Sequence, residues 1–177
     1  MANAVTPVIL GLLARRPLSG YDIKAVVDRS TRFFWAASYG QIYPELSRLE
    51  AAGLIEGEDS PNGRRARRVY RLTPAGRDAL VDWLSGPIET VELRDESLLR
   101  LFFADALPRE QALLLLEGRK RGHEEFLEVL REIDALPGVD PPFVDLVLRW
   151  GIDFHVWGAE WCESQIQRLS AETATTA

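Results

Sequence analysis

A single cysteine, Cys162, stands among 177 residues, so no disulfide forms within the chain and no cysteine-rich metal cluster has the ligands it needs. Histidine is nearly as scarce, with His123 and His155 the only two. His123 falls seven residues after Leu116 and four before Leu127, on the apolar face of a helical pattern, the setting of a packed or interfacial histidine rather than a base. His155 and Cys162 lie seven apart and could share a helix face, but two ligands do not make a structural zinc site. Glycine-rich phosphate loops, nucleophile elbows and paired-histidine motifs are all missing, and with them the usual signs of an enzyme. No apolar run approaches the ~20 residues that span a bilayer. Met1 to Pro7 carries no basic side chain, which predicts no secretory leader. These absences predict a cytoplasmic protein without catalytic residues, metal, cofactor or membrane partner.

What is present is divided unevenly. Residues 1–85 hold 12 Lys and Arg against 9 Asp and Glu, net +3, while residues 86–177 hold 9 against 18, net −9. Between Ser60 and Arg77 there is no acidic residue, yet Arg64, Arg65, Arg67, Arg68, Arg71 and Arg77 all fall there. Two charge characters predict two modules, the first able to meet a polyanion despite a total charge of −6.

The order of elements supports this division. Thr6-Pro7 opens a mostly buried first helix, with Thr as the expected cap and Pro in the first turn. Ser19-Gly20-Tyr21-Asp22 is a capping-box pattern for a second helix to about Ser30, with Tyr21, Ala25 and Val26 inward. Ser38-Tyr39-Gly40-Gln41 opens a third, whose stripe of Ile42, Leu46 and Leu49 ends at Gly53. Pro44 requires that helix to begin nearer Gly40 or to have an irregular first turn. Leu54–Glu58 and Arg67–Leu72 read as strands around the turn-rich Asp59–Gly63. Thr73-Pro74 caps a fourth helix carrying Ala75, Leu80 and Leu84, which stops at Gly86-Pro87. Helix, helix, helix, hairpin and helix make a winged helix-turn-helix over residues 1–86.

Residues 87–170 show no strand pattern. A short helix starts at Asp95, a long one runs from Pro108 to about Leu136, and another from Pro142 to about Leu169. Gly118 and Gly122 suggest close packing on a neighbouring helix, and residues 171–177 a flexible tail. The expected fold is mainly α, a winged helix-turn-helix with a β-hairpin wing followed by an all-helical dimerisation and ligand-sensing domain.

In a helix-turn-helix the second helix of the motif enters the major groove with its N-terminal residues on base edges. Those are Ser38, Tyr39, Gln41 and Tyr43, with Gln41 able to bond adenine in a bidentate way. Tyr43 could equally be a packing aromatic and Ser38 only a cap. Arg64, Arg65, Arg67 and Arg68 in the wing suit the phosphate backbone, because a merely solvated face mixes both signs. Arg71 and Arg77 could instead pair with acids of their own domain.

Several segments together resemble the PadR-like bacterial transcriptional regulators. They are Ile9 to Leu13, Ser19 to Ile23, Tyr39 to Leu46, Leu49 to Ile55 and Tyr70 to Gly76, with Tyr43-Pro44 inside the recognition helix the most specific element. Asp95 to Phe103 resembles the start of the helical C-terminal domain of the longer members. The resemblance covers most of the chain and is sharpest in the first half. It implies a dimeric repressor on double-stranded DNA, often released by a small molecule. Gln41 departs from the pattern, at a position often held by a smaller polar residue, which leaves the preferred DNA sequence open.

The last helix carries its own signal. Phe143, Val147, Trp150, Phe154, Trp157 and Trp161 recur at spacings of four and three, one heptad seam. It is either core against the helix from Pro108 or a homodimer interface, with room for a small flat aromatic effector. A homodimer implies a pseudo-palindromic operator. Two other functions remain open on sequence: a winged-helix protein-interaction module, and a small-molecule binder or enzyme using the aromatic seam.

Overall fold

A computed structural model describes residues 4–31, 34–35, 39–60, 67–88, 95–137 and 141–175. The chain divides into two compact units, Met1–Thr90 and Val91–Ala177.

The first unit contains α1 (Thr6–Leu13), β1 (Leu18–Ser19), α2 (Gly20–Asp28), a 3-10 turn (Tyr39–Gln41), α3 (Ile42–Ala51), β2 (Ile55–Ser60), β3 (Arg67–Leu72) and α4 (Pro74–Ser85). Ile9, Ile23, Leu46, Leu49 and Ile55 are its most deeply buried side chains, so three helices and the root of the wing share one core. Thr6 lies inside α1, with Val5 as the N-cap residue. Its hydroxyl instead donates to the carboxylate of Glu45, which is buried on α3 and also accepts from Arg48 Nη2 at 2.7 Å.

The Ser19 box closes as its sequence predicts. Ser19 Oγ accepts from Asp22 N at 3.2 Å and Asp22 Oδ2 accepts from Ser19 N at 3.1 Å. The buried stripe of α2 is Gly20, Ile23 and Val27, so Tyr21 faces outward, 70 % exposed, contrary to expectation. One residue along a helix is a rotation of ~100°, enough to carry a ring from core to solvent. In α3 the 3-10 turn precedes the α-helix, and Pro44 is its third residue. That position lies among the first four N–H groups, which have no intrahelical acceptor, so proline removes nothing.

The three-stranded antiparallel sheet has the order β1-β3-β2. Its register pairs Ile55 with Leu72 at the root and Ser60 with Arg67 at the far end. β1 pairs Leu18 with Tyr70 and was not foreseen, since two residues carry no periodicity. Thr73 caps α4 by accepting from Gly76 N at 3.0 Å. Only Gly76 and Leu80 are buried on α4, while Ala75 and Leu84 are exposed.

Gly76 is the tightest point of the unit. A Cβ there would lie 2.0 Å from the Leu54 carbonyl oxygen and 2.8 Å from Leu72 Cδ1. That carbonyl cannot retreat cheaply, because it accepts from Thr73 N at 3.1 Å and Thr73 Oγ1 at 2.9 Å. Gly76→Ala is therefore expected to cost about 3 kcal/mol or more, the upper range for overpacking. Thermal melting should drop by on the order of 10 °C.

The second unit contains α5 (Glu96–Phe102), a 3-10 turn (Ala104–Ala106), α6 (Arg109–Asp134) and α7 (Pro142–Thr175). Asp95 caps α5 by accepting from Leu98 N at 3.1 Å. Helices α6 and α7 run antiparallel. Arg109 donates to the Leu169 carbonyl, Lys120 to Glu163 at 2.9 Å, and Arg149 to Asp134 at 2.7 Å. Helix α7 continues to Thr175, past Ser170, where a flexible tail was expected. The glycine expectation also needs correcting. A Cβ at Gly122 would meet nothing within 4 Å, and one at Gly118 only Arg121 at 3.9 Å, so neither packs closely on another helix. The close approach is made by Gly158 of α7, where a Cβ would sit 2.4 Å from His123 Cε1. No helix among the described residues is long and apolar enough to cross a membrane.

Candidate nucleic-acid interface and C-terminal aromatic face

Helix α2 crosses α3 where Gly20 presents no side chain. A Cβ on Gly20 would lie 2.7 Å from Tyr43 Cε1 and 3.2 Å from Leu46 Cδ1. Tyr43 therefore rests one ring edge on the start of α2 while 57 % of it stays exposed. Gln41 is exposed in the 3-10 turn, and the backbone of Tyr39 begins that turn. Ser38 lies outside the described residues, as do Arg64 and Arg65.

Arg67 and Arg68 both have acidic partners within the unit. Arg67 Nε donates to Ser19 Oγ at 2.9 Å, its Nη2 pairs with Asp22, and its guanidinium lies 5.9 Å from the centre of the Tyr21 ring. Arg68 Nη2 donates to Glu50 Oε1 at 2.6 Å and Nη1 to Asp59 Oδ1 at 3.0 Å. Arg71 lies 3.9 Å from Glu58, in keeping with the intradomain pairing expected of it. The wing strands thus mix both signs, a correction to the purely basic face read from residues 60–77. The acids arrive from β2, α2 and α3, far enough away in sequence to escape a count along one segment.

These pairs leave their mark on the carboxylates. Hydrogen bonding from Arg68 is the main cause that holds Glu50 below its ordinary value, against the opposing pull of desolvation. For Asp22, desolvation works upward but is outweighed by hydrogen bonds from Ser19 and Arg67, so its pKa falls as well. Glu50 Oε1 also accepts from Gly57 N at 2.9 Å. One carboxylate therefore ties the end of α3 to both strands of the wing.

On α7 two heptad stripes lie side by side. Gly151, His155, Gly158 and Cys162 face α6, with Gly158 and Cys162 buried. The stripe one residue earlier is the aromatic seam, and it is not the core of its own unit. Phe143 is 82 % exposed, Trp150 61 %, Trp157 58 %, and Val147, Phe154 and Trp161 between 36 % and 40 %. Its rings follow one another along the helix, Trp150 and Phe154 parallel at 5.4 Å and Trp157 and Trp161 tilted at 6.5 Å. The exposed area of the six residues is roughly 700 Å² per copy, given the 150–250 Å² an aromatic side chain presents. Contiguous apolar patches of that size mark interaction sites on soluble proteins.

Beside this stripe a cleft of about 690 Å³ opens between α5, α6 and α7. Leu114, Leu115, Phe126 and Phe154 wall it, Gly118 and Gly122 leave its floor open, and His123 and His155 border it. The two imidazoles meet with Nδ1 atoms 3.1 Å apart. Phe126 stacks on His155 at 4.7 Å and Phe154 meets both rings edge-on. Arg119 is held in the wall by Asp95 at 2.7 Å and by Ser97. Desolvation pushes the Asp95 pKa upward, but hydrogen bonds from the Ser97 hydroxyl, Arg119 and the Leu98 N–H outweigh it and bring it down to about 2.

Burial, joined by the Arg119 charge, lowers the His123 pKa, with Asp95 opposing. Burial and His123 lower that of His155. Both rings are thus easier to protonate in the unfolded chain than in the folded one. The stability this contributes is complete above the ordinary imidazole value near 6.5 and is lost as pH falls through it toward the lowered folded values. Melting temperature should fall between pH 7.5 and pH 5, and His155→Phe should flatten that fall.

Sequence reasoning did not single out Glu45 or Glu50 and read Asp22 only as part of a cap, because an acid on a helix looks solvated until its partner is known. The cleft escaped as well, since its floor is made of glycines.

Comparison with known proteins adds independent findings. Residues 9–82 match the model of the transcriptional regulator PadR-like family, and residues 93–170 that of the virulence activator alpha C-terminal domain. The chain is 41 % identical over 127 residues to the negative transcriptional regulator PadR of Bacillus subtilis, spanning 70 % of this chain and 69 % of the relative. Its fold is similar to the crystal structure of B. subtilis PadR in complex with operator DNA, with TM-score 0.85, 30 % identity, and 95 % and 99 % of the two chains covered. It is also similar to B. subtilis PadR in complex with p-coumaric acid, with TM-score 0.78, 29 % identity, and 94 % and 99 % covered.

Proposed function

This chain belongs to the PadR-like family of transcriptional regulators, and we propose that it acts as a homodimeric repressor of a pseudo-palindromic operator, released by a small aromatic ligand. Residues 1–86 bind DNA in this reading, and the helical residues beyond them dimerise and take the effector. The observation that carries it is the helix-turn-helix crossing at Gly20, with Gln41 and Tyr43 exposed at the start of α3. That is the end of the helix whose side chains reach base edges in this motif. Operator DNA and p-coumaric acid on similar structures support the two ligand classes.

Within the DNA-binding unit the arginines divide their work. Arg64 and Arg65, which follow β2 and precede β3 in the sequence, contact phosphates. Arg67 and Arg68 fix the wing against α2 and α3 through the pairs described and reach the backbone from there. Gln41 reads a base, and its loss should cost ~1–3 kcal/mol on the preferred site only. Glu50 braces the recognition helix against the wing, and its removal separates two effects. Deleting an acid near DNA strengthens non-specific binding, whereas loosening the brace weakens the specific complex. Glu50→Ala is expected to narrow the ratio of specific to random-sequence affinity about tenfold, of order 1.4 kcal/mol. Competitive anisotropy against the preferred duplex and a scrambled one measures it. An unchanged ratio would remove Glu50 from this role.

Release needs no chemistry. A ligand that binds one arrangement of the dimer better than another shifts the population by its differential affinity. The proposal as a whole is tested by titrating labelled duplex with the full chain at several salt concentrations. Affinity should fall linearly with salt on logarithmic axes and exceed that for random sequence by ~10³ or more.

A further inference from the structure

Resting on the reading of residues 1–86 as the DNA-binding unit, we propose that Tyr21 is a further DNA-contacting residue. Its phenol donates to a phosphate of the backbone strand that runs between the recognition helix and the wing, and so anchors the duplex by an uncharged hydrogen bond.

Tyr21 is placed from two sides. Its neighbour Gly20 lies against the start of α3, where a Cβ would come within 2.7 Å of Tyr43 Cε1. On the other side Arg67, the first residue of β3, sets its guanidinium 5.9 Å from the centre of the Tyr21 ring, within cation–π reach. The sheet register accounts for this second neighbour. Ser19 opposes Val69, so the chain entering α2 passes beside β3 two residues from Arg67. Arg67 Nε donates to Ser19 Oγ at 2.9 Å and its Nη2 pairs with Asp22, so the guanidinium that meets the ring is itself fixed. The ring is therefore held in place, yet Tyr21 is 70 % exposed, and among the described residues its hydroxyl has no hydrogen-bond partner. Exposure alone would not single it out, since lone apolar residues are common on protein surfaces. Its position between two DNA-facing elements does.

The shape of the duplex says what passes there. A sugar-phosphate strand separates each major groove from the neighbouring minor groove, so a helix in the one and a wing beside the other straddle that strand. A side chain between the start of α3 and the start of β3 faces its phosphates rather than base edges. The first helix of the motif also crosses the backbone, and α2 is that helix. A phenol O–H is a donor that a phosphate oxygen can accept from, and such contacts fix the register of a protein on DNA.

The charges around Tyr21 give the contact a signature. Arg67 is offset by Asp22, so this spot carries little net charge. An uncharged donor displaces no condensed counterion, whereas an arginine that neutralises a phosphate does. Tyr21 thus adds affinity without adding salt dependence, the opposite of the behaviour expected of Arg64 and Arg65.

Tyr21→Phe tests this, because it removes one oxygen and keeps the ring beside Arg67. Melting temperature and sedimenting mass should not change. On the duplex enriched by selection from random DNA, affinity should fall about fivefold, the worth of one hydrogen bond, with the salt slope and the preferred bases unaltered. Duplexes carrying a single methylphosphonate at successive backbone positions then locate the contact, since each lacks one phosphate oxygen. At one position in each half-site the change should weaken the unmodified chain several-fold more than Tyr21→Phe. Undiminished affinity in Tyr21→Phe overturns the proposal, and so does the lack of any such position. A changed base preference would assign the hydroxyl to a base edge, and a lowered sedimenting mass would assign the ring to the dimer contact; either overturns the phosphate contact. Failure of the unmodified chain to bind duplex at any salt concentration would remove the DNA-binding reading as well, whereas full-strength binding by Tyr21→Phe removes this contact alone.

Discussion

Replacing Trp150 and Trp157 together with glutamate is expected to yield a monomer of 19.9 kDa in sedimentation at micromolar concentration, where the unmodified chain should sediment at about twice that mass. These two side chains are 61 % and 58 % exposed within their own unit, so exchanging them removes little intrachain packing. Surface exchanges of this kind usually change folding stability by about 0.5 kcal/mol or less. A twofold contact through the seam would bury roughly 1,400 Å² from both copies, within the range of stable interfaces. Four glutamates in the middle of such an interface would each face a desolvation cost of several kcal/mol without a partner. The dimer constant should therefore weaken by at least ~10³, about 4 kcal/mol. Operator affinity should drop with it, since a monomer engages one half-site. A folded variant that stays dimeric would place the interface elsewhere, for instance on the exposed Phe102 and Phe103 of the α5 region.

The second large effect belongs to two arginines between the wing strands in the sequence. Exchanging Arg64 and Arg65 for alanine removes four cations from a dimer. If each meets one phosphate, the logarithmic salt slope should fall by about 0.9 per contact, close to 3.6 in all. At 0.1 M salt that corresponds to a loss on the order of a thousandfold, alike on operator and random duplex. Exchanging Arg67 and Arg68 should behave differently. Their guanidinium groups already hold Asp22, Glu50 and Asp59, so part of the effect will appear as lower stability and less as salt slope. Equal slopes for the unmodified chain and the Arg64/Arg65 variant would refute the phosphate assignment.

The sequence made some of this legible and hid the rest for physical reasons. Helix starts at Ser19, Thr73 and Asp95 were readable because a cap is decided within four residues. The seam on α7 was readable as a heptad, but its direction was not. The stripe that packs on α6 consists of two glycines, a histidine and a cysteine, which carry almost no hydrophobic signal beside three tryptophans. Small residues let α7 approach α6, and the large ones were left outside. Gly118 and Gly122 show the converse, since the same residue type opens space where no helix approaches. The pairing of Arg67 with Asp22 and of Arg68 with Glu50 spans 45 and 18 positions, and only the folded sheet brings the signs together. Tyr21 failed as a core position because an inward stripe anchored on Gly20 left it one residue out of phase.

Selection of bound sites from random duplex DNA with the full-length protein tests the central claim most directly. A twofold winged helix-turn-helix protein should enrich a pseudo-palindrome with half-sites about one helical turn apart, or a multiple of it. Gln41→Ala should then change the bases enriched without changing that spacing. Recovery of no common sequence, or of a single unpaired half-site from a protein that sediments as a dimer, would contradict the account.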